Sequence, residues 1–182
     1  NLNVKGVGGW TNGKSNFLVN SGKWYVECRV NAWQANNYIR LGVFARPART
    51  YDEYFILGNG TGQIDAAARN VVSSFSTGVI IQIALDLENN NIFFGIDNTW
   101  SNSATASEIV AGTATNAFAS GAQVPTGDGH NYGFYFNPHS ATTNITVDFG
   151  QDRSFGGAET ATTTSDSEGF GTFQYEPPAG FL

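Results

Sequence analysis

The side chains best suited to chemistry in this 182-residue chain are its carboxylates. The closest pair on one face is Asp86 and Glu88 in Asp86-Leu87-Glu88. Two carboxyl groups held together could serve as acid and nucleophile in glycoside hydrolysis. This pair, however, sits where an apolar strand runs into Asn89-Asn90-Asn91, so it reads as solvated turn residues. The other carboxylates are dispersed, among them Glu27, Asp52, Asp97 and Asp148. A calcium site needs a denser set of oxygens.

Nucleophilic and metal chemistry are no better served. His130 and His139 are the only histidines, without metal-ligand spacing to each other or to Cys28. Both read as surface polar residues. Cys28 shares a strand face with Trp24, Val26 and Val30 and reads as a small buried hydrophobe. As the single cysteine it excludes an internal disulfide. There is no Gly-x-Ser-x-Gly turn. Gly58-Asn59-Gly60-Thr61-Gly62 lacks the lysine and helix of a phosphate-binding loop and reads as a turn. The expectation is no catalysis, no metal and no cofactor.

Recognition chemistry is better represented. Asn31-Ala32-Trp33-Gln34-Ala35-Asn36-Asn37-Tyr38 interrupts two strands with an exposed-looking aromatic and several amides. Arg46-Pro47-Ala48-Arg49-Thr50-Tyr51-Asp52 is a second polar-aromatic loop. Aromatic faces with amides suit sugar rings, and aromatic–arginine combinations anchor protein interfaces. The candidate ligand-binding residues are Trp33, Asn36, Asn37, Tyr38, Arg46, Arg49, Tyr51 and Asp52. They form one site if the two loops meet at one end of the fold. The competing reading folds Trp33 over the edge of the fold as packing.

These loops need strands to position them. Val79, Ile81, Ile83, Leu85 and Leu87 alternate onto one face, the Asn run turns the chain, and Ile92, Phe94 and Ile96 alternate again. That is an antiparallel hairpin with an apolar inner face. Further strands are expected at 15–20, 23–31, 38–46, 54–57, 132–137 and 144–150, with 172–175 closing the fold. One helical turn is expected near 107–111. The segments 101–129 and 156–169, poor in large apolar residues, read as long surface loops. Ile109, Val110 and Phe118 are the anchors of the first. Serial strands without helices between them imply an antiparallel sandwich.

Composition agrees. Aromatic residues make up 14% of the chain, which argues for a packed interior. Charged residues are only 13%, about half the usual share, so the surface is largely neutral and polar. A formal charge of -6 opposes binding to nucleic-acid phosphates. No apolar stretch approaches the ~20 residues of a membrane span. The chain contains no Met, and its first residues already read as domain sequence, so it is expected to be part of a longer protein.

Four segments, in order, carry a resemblance. They are Ser21-Gly22-Lys23-Trp24-Tyr25-Val26-Glu27, Ile39-Arg40-Leu41-Gly42-Val43, the central hairpin through Ile92-Phe93-Phe94 to Trp100, and Thr146-Val147-Asp148-Phe149-Gly150-Gln151. Together they resemble SPRY (B30.2-like) domains. The ending Tyr175-Glu176-Pro177-Pro178-Ala179-Gly180-Phe181 resembles that of SPRY-like domains in bacteriophage structural proteins. The resemblance implies one all-β domain over 1–182, core about 15–155 and closing tail 170–182. It would be an antiparallel two-sheet β-sandwich of the SPRY/concanavalin-like jelly-roll kind, binding other molecules without catalysis. The expected role is a virion-surface, extracellular module of a phage fibre, tail or capsid that recognises a host-surface glycan or protein. Two alternatives stand beside it: a decoration or assembly module, homo-oligomeric or docked on other virion subunits, and, less favoured, a carbohydrate-active enzyme of related fold.

Overall fold

The computed structural model describes residues 2–10, 13–34, 39–47, 52–64, 67–70, 74–127 and 129–182. Two antiparallel sheets face each other. The first contains β1 (Leu2–Lys5), β3 (Lys23–Ala32), β8 (Ile80–Asp86), β9 (Asn91–Ile96), β10 (Thr99–Trp100) and β13 (Asn144–Asp148), in the order β1-β13-β3-β8-β9-β10. A short strand, β11 (Ala119–Ser120), also pairs with β9. The second sheet contains β2 (Gly13–Lys14), β4 (Ile39–Arg46), β5 (Glu53–Leu57), β6 (Thr61–Ile64), β7 (Ala67–Asn70) and β12 (Asn131–Pro138), in the order β2-β12-β4-β5-β6-β7.

The expected alternation is what fills the space between the sheets. Val26, Cys28 and Val30 of β3, Ile81, Ile83 and Leu85 of β8, and Ile92 and Phe94 of β9 meet Leu41, Val43, Ile56, Phe134 and Phe136 from the second sheet. Cys28 is fully buried there, and burial, reinforced by Glu27, holds its thiol well above the ordinary range.

The outer faces differ from a half-solvated sandwich. Every residue of β8 is buried, because the chain after β13 lies over the outside of the first sheet. Tyr25, Ala84 and Phe93 on that outside pack with Ile109, Phe173 and Phe181. The expected closing strand at 172–175 is therefore a correction. Thr172 makes one bridge to Ser165, and Phe173 is a side-chain anchor of a cover rather than a strand residue. The expected strand at 15–20 likewise reduces to a bridge between Val19 and Tyr132, with β2 just before it.

The segment 101–129 is also more ordered than a surface loop. It holds α1 (Ala106–Ala111), started by a reciprocal capping box between Thr105 and Glu108, and ended by Gly112 in the left-handed conformation. The Thr-x-x-Glu spacing that starts it is visible in the sequence. Ile109 and Phe118 are buried anchors as expected, whereas Val110 is exposed.

Asp86 is the clearest correction among the carboxylates. It is fully buried rather than solvated. Its Oδ1 accepts from the backbone N–H of Glu88 and Asn89 at 3.0 Å each, its Oδ2 accepts from Asn89 Nδ2 at 2.8 Å, and Lys23 Nζ lies 3.3 Å away. It is the structural cap of the β8–β9 turn.

Candidate functional site

The two predicted recognition loops do not meet. One connection enters β4 at Ile39 and the other leaves it at Arg46. Eight residues at about 3.3 Å each set them roughly 25 Å apart, at opposite ends of the sandwich. Asn36, Asn37, Tyr38, Arg49 and Tyr51 lie outside the described residues. Trp33, Arg46 and Asp52 can be placed. Arg46 lies at the lower end, its guanidinium 5.3 Å from the centre of the Phe44 ring and its Nη1 donating to the Ala45 carbonyl at 2.9 Å. The Asp52 carbonyl accepts from Ala45 N–H at 2.9 Å.

Trp33 lies at the upper end, where β3 hands over to β4. Its indole packs half-buried against the central core. Gly58, in the β5–β6 turn, leaves the room: a Cβ there would stand 2.9 Å from Trp33 Nε1 and 3.1 Å from Ile39 Cγ2. The packing reading of Trp33 thus describes its ring. Its Nε1 nevertheless finds no acceptor among the described residues.

Residues far apart in sequence join Trp33 at this end. Because β12 pairs with β4 from Pro138↔Ile39 onward, His139 emerges beside the start of β4. Trp10 meets His139 edge-on, ring centres 4.8 Å apart, and Gly8 N–H donates to the His139 carbonyl at 3.2 Å. The Arg40 guanidinium lies 3.9 Å from the Trp10 ring centre and 4.9 Å from that of Phe55, a cation between two aromatic faces. Trp10 keeps 37% of its surface exposed. Gln34 Oε1 accepts from Ser140 Oγ and, at 3.0 Å, from Thr142 Oγ1, tying the end of β3 to the β12–β13 turn.

Eight buried side-chain N or O atoms lack a partner among the described residues, and four belong to this end: Trp33 Nε1, Arg40 Nε, Thr143 Oγ1 and Asn144 Oδ1. Buried polar groups are almost always bonded, so each of these atoms is a place for an ordered water or another partner. Of the four, Arg40 lies against the exposed Trp10 indole, whereas Trp33 packs on the core side of β4. Trp10, Arg40, Thr143 and Asn144 were missed by sequence reasoning because sheet pairing, not spacing, brings them together. His139, expected to be a surface polar residue, is half-buried against Trp10. His130 is a further correction: it is buried, with Nδ1 3.3 Å from the Gly127 carbonyl.

The carboxylates suited to chemistry are structural. Glu27, fully buried on the outside of the first sheet, accepts from Tyr25 Oη at 2.8 Å, Gln174 N–H at 2.8 Å and Tyr175 N–H at 2.9 Å. Burial pushes its pKa up to about 7 against those hydrogen bonds. Gln82 completes the network, donating to Tyr25 Oη at 2.9 Å and accepting from Asn98 N–H at 2.7 Å. Burial and Glu27 in turn raise the Tyr25 phenol well above its usual range. Among the described residues no group of three or more His, Cys, Asp or Glu side chains is placed to hold a metal ion. None of the described helices is long and apolar enough to cross a membrane.

No family model and no curated protein matches the sequence. The fold has a clear counterpart. The crystal structure of the SPRY domain of human HERC1 superposes with a TM-score of 0.56, covering 81% of this chain and 87% of that one at 17% identity. This chain has a SPRY-like fold. The upper end of the SPRY-like sandwich, where β3 passes to β4 and β12 turns to β13, is its candidate binding site.

Proposed function

We propose that this SPRY-like sandwich is a non-enzymatic binding module, displayed on the surface of a bacteriophage particle, that recognises a host-surface glycan through its upper end. The observation that carries the reading is the part-exposed Trp10 ring backed by the Arg40 guanidinium 3.9 Å from its centre, at the end of the sandwich that also holds Trp33 and Gln34. A sugar ring stacks one face on an exposed indole while its hydroxyls both donate to and accept from neighbouring polar side chains. The phage setting rests on the resemblance of the Tyr175–Phe181 ending to phage structural proteins and on a charge-poor surface.

An immobilised glycan array probed with the purified chain tests the proposal. Wild-type chain should select particular bacterial surface saccharides, and Trp10→Ala should weaken that binding tenfold or more while leaving the thermal midpoint unchanged. Equal retention of both proteins, or no selection across the array, would sink the reading.

A further inference from the structure

A second feature, independent of the upper end, lies where the C-terminal cover meets the open edge of the sandwich. An apolar cleft of about 230 Å³ opens there, lined chiefly by Phe17, Phe149, Phe170, Phe173 and Leu182, with Asp166 as its one charged wall. Phe170 is 85% exposed at the rim, and Leu182 and Phe17 are also part-exposed. This exposure is built in. Asp166 Oδ1 accepts from Glu168 N–H at 3.0 Å and Phe170 N–H at 3.1 Å, its Oδ2 accepts from Gly171 N–H, and Ser165 bridges Thr172 below. A loop braced by a buried carboxylate thus holds a phenyl ring in water beside an apolar cleft. Large apolar groups displayed together in this way mark interaction sites.

Charge selects the occupant. The chain after β13 carries five carboxylates against one arginine, so this cover holds -4 of the chain's formal -6. The single cation, Arg153, donates to the Thr162 carbonyl at 2.6 Å, and Arg29 from β3 pairs with Glu159. Among the described residues neither Asp166 nor Glu168 has an ion-pair partner. A second copy seated here would bring like charge against like charge, and nucleic acid or an anionic membrane would be repelled. A basic partner gains both the apolar contact and electrostatic complementarity.

We infer that this cleft docks a basic segment of another protein, one bulky apolar side chain entering between Phe17, Phe149 and Phe170 with flanking Lys or Arg facing the exposed Glu168. The site fits an attachment role, leaving the upper end free. The test uses the whole chain, labelled with ¹⁵N, and two synthetic peptides with a central Phe, one flanked by lysines and one by glutamates. The lysine peptide should shift the amide signals of Phe170, Gly171 and Leu182 and bind at least tenfold more tightly than the glutamate peptide. Phe170→Ser, at a solvent-facing position that should leave folding intact, should weaken that binding tenfold or more. Equal binding of both peptides, binding of neither, or an unaffected Phe170→Ser variant would overturn the inference. So would sedimentation of the wild-type chain as a dimer that Phe170→Ser dissociates, because a second copy would then be the occupant.

Discussion

Glu27 and Asp148 are direct cross-strand partners of β3 and β13, two carboxylates side by side and fully buried beneath the C-terminal cover. Each is held by backbone donors from the cover. Glu27 takes the N–H groups of Gln174 and Tyr175, while Asp148 Oδ1 takes those of Gly150, Gln151 and Asp152 at 2.7–3.1 Å. Burial outweighs these bonds and raises both pKa values, and the Asp148 charge adds to the rise at Glu27.

This pairing sets a pH dependence. Glu27 titrates at about 7 in the folded chain and near 4.5 when unfolded, so between these values the native state holds a proton that the unfolded state lacks. Stability therefore falls as pH rises from about 4.5 to about 7, by on the order of 3 kcal/mol from this one group. Asp148 acts in the same direction. Urea titrations at pH 5 and pH 8 should show the loss, and Glu27→Gln should flatten it. A wild-type stability that rises across this interval would contradict the assignment.

Ile83, fully buried between β3 and β9, tests the core face of the central hairpin. Ile83→Ala should lower unfolding stability by about 2–5 kcal/mol with little change in denaturant slope. A loss below about 0.5 kcal/mol would mean that the side chain does not face the core.

Asp86→Ala should act on stability rather than on any reaction. It removes one partner of a buried pair with Lys23 and three hydrogen bonds of the β8–β9 turn, a change that costs about 3–5 kcal/mol. Incubation of wild-type chain with a polysaccharide panel should release no reducing ends. Release of sugar that disappears in a folded Asp86→Asn variant would restore the glycosidase reading.

Gly58→Ala places a methyl group against Trp33 Nε1 and Ile39 Cγ2. Displacing that packing should cost about 1–3 kcal/mol and shift the tryptophan emission. An unchanged spectrum and midpoint would mean that Trp33 does not rest on Gly58.

Much of the sandwich was legible because period-two alternation records which face is buried. Trp24 to Val30, Ile81 to Leu87, Tyr132 to Phe136 and Ile145 to Val147 all face as their spacing requires. The cover was not legible, since residues 149–182 have no periodicity and are held by isolated anchors such as Phe173 and by backbone bonds to Glu27. The candidate site was half legible. Trp33 was found within its own loop, but Arg46 and Asp52 were assigned beside it because a sequence does not record that β4 runs the length of the sheet between them. Trp10, Arg40 and His139 meet only after β12 has paired with β4.

Binding of the purified, labelled chain to a panel of bacterial strains, before and after removal of surface glycans, tests the proposed recognition most directly. Saturable binding to particular strains, abolished by glycan removal and weakened tenfold or more by Trp10→Ala, is the expected result. Absence of binding to every strain, together with tight binding to phage particles lacking the module, would contradict it and make the chain a structural decoration.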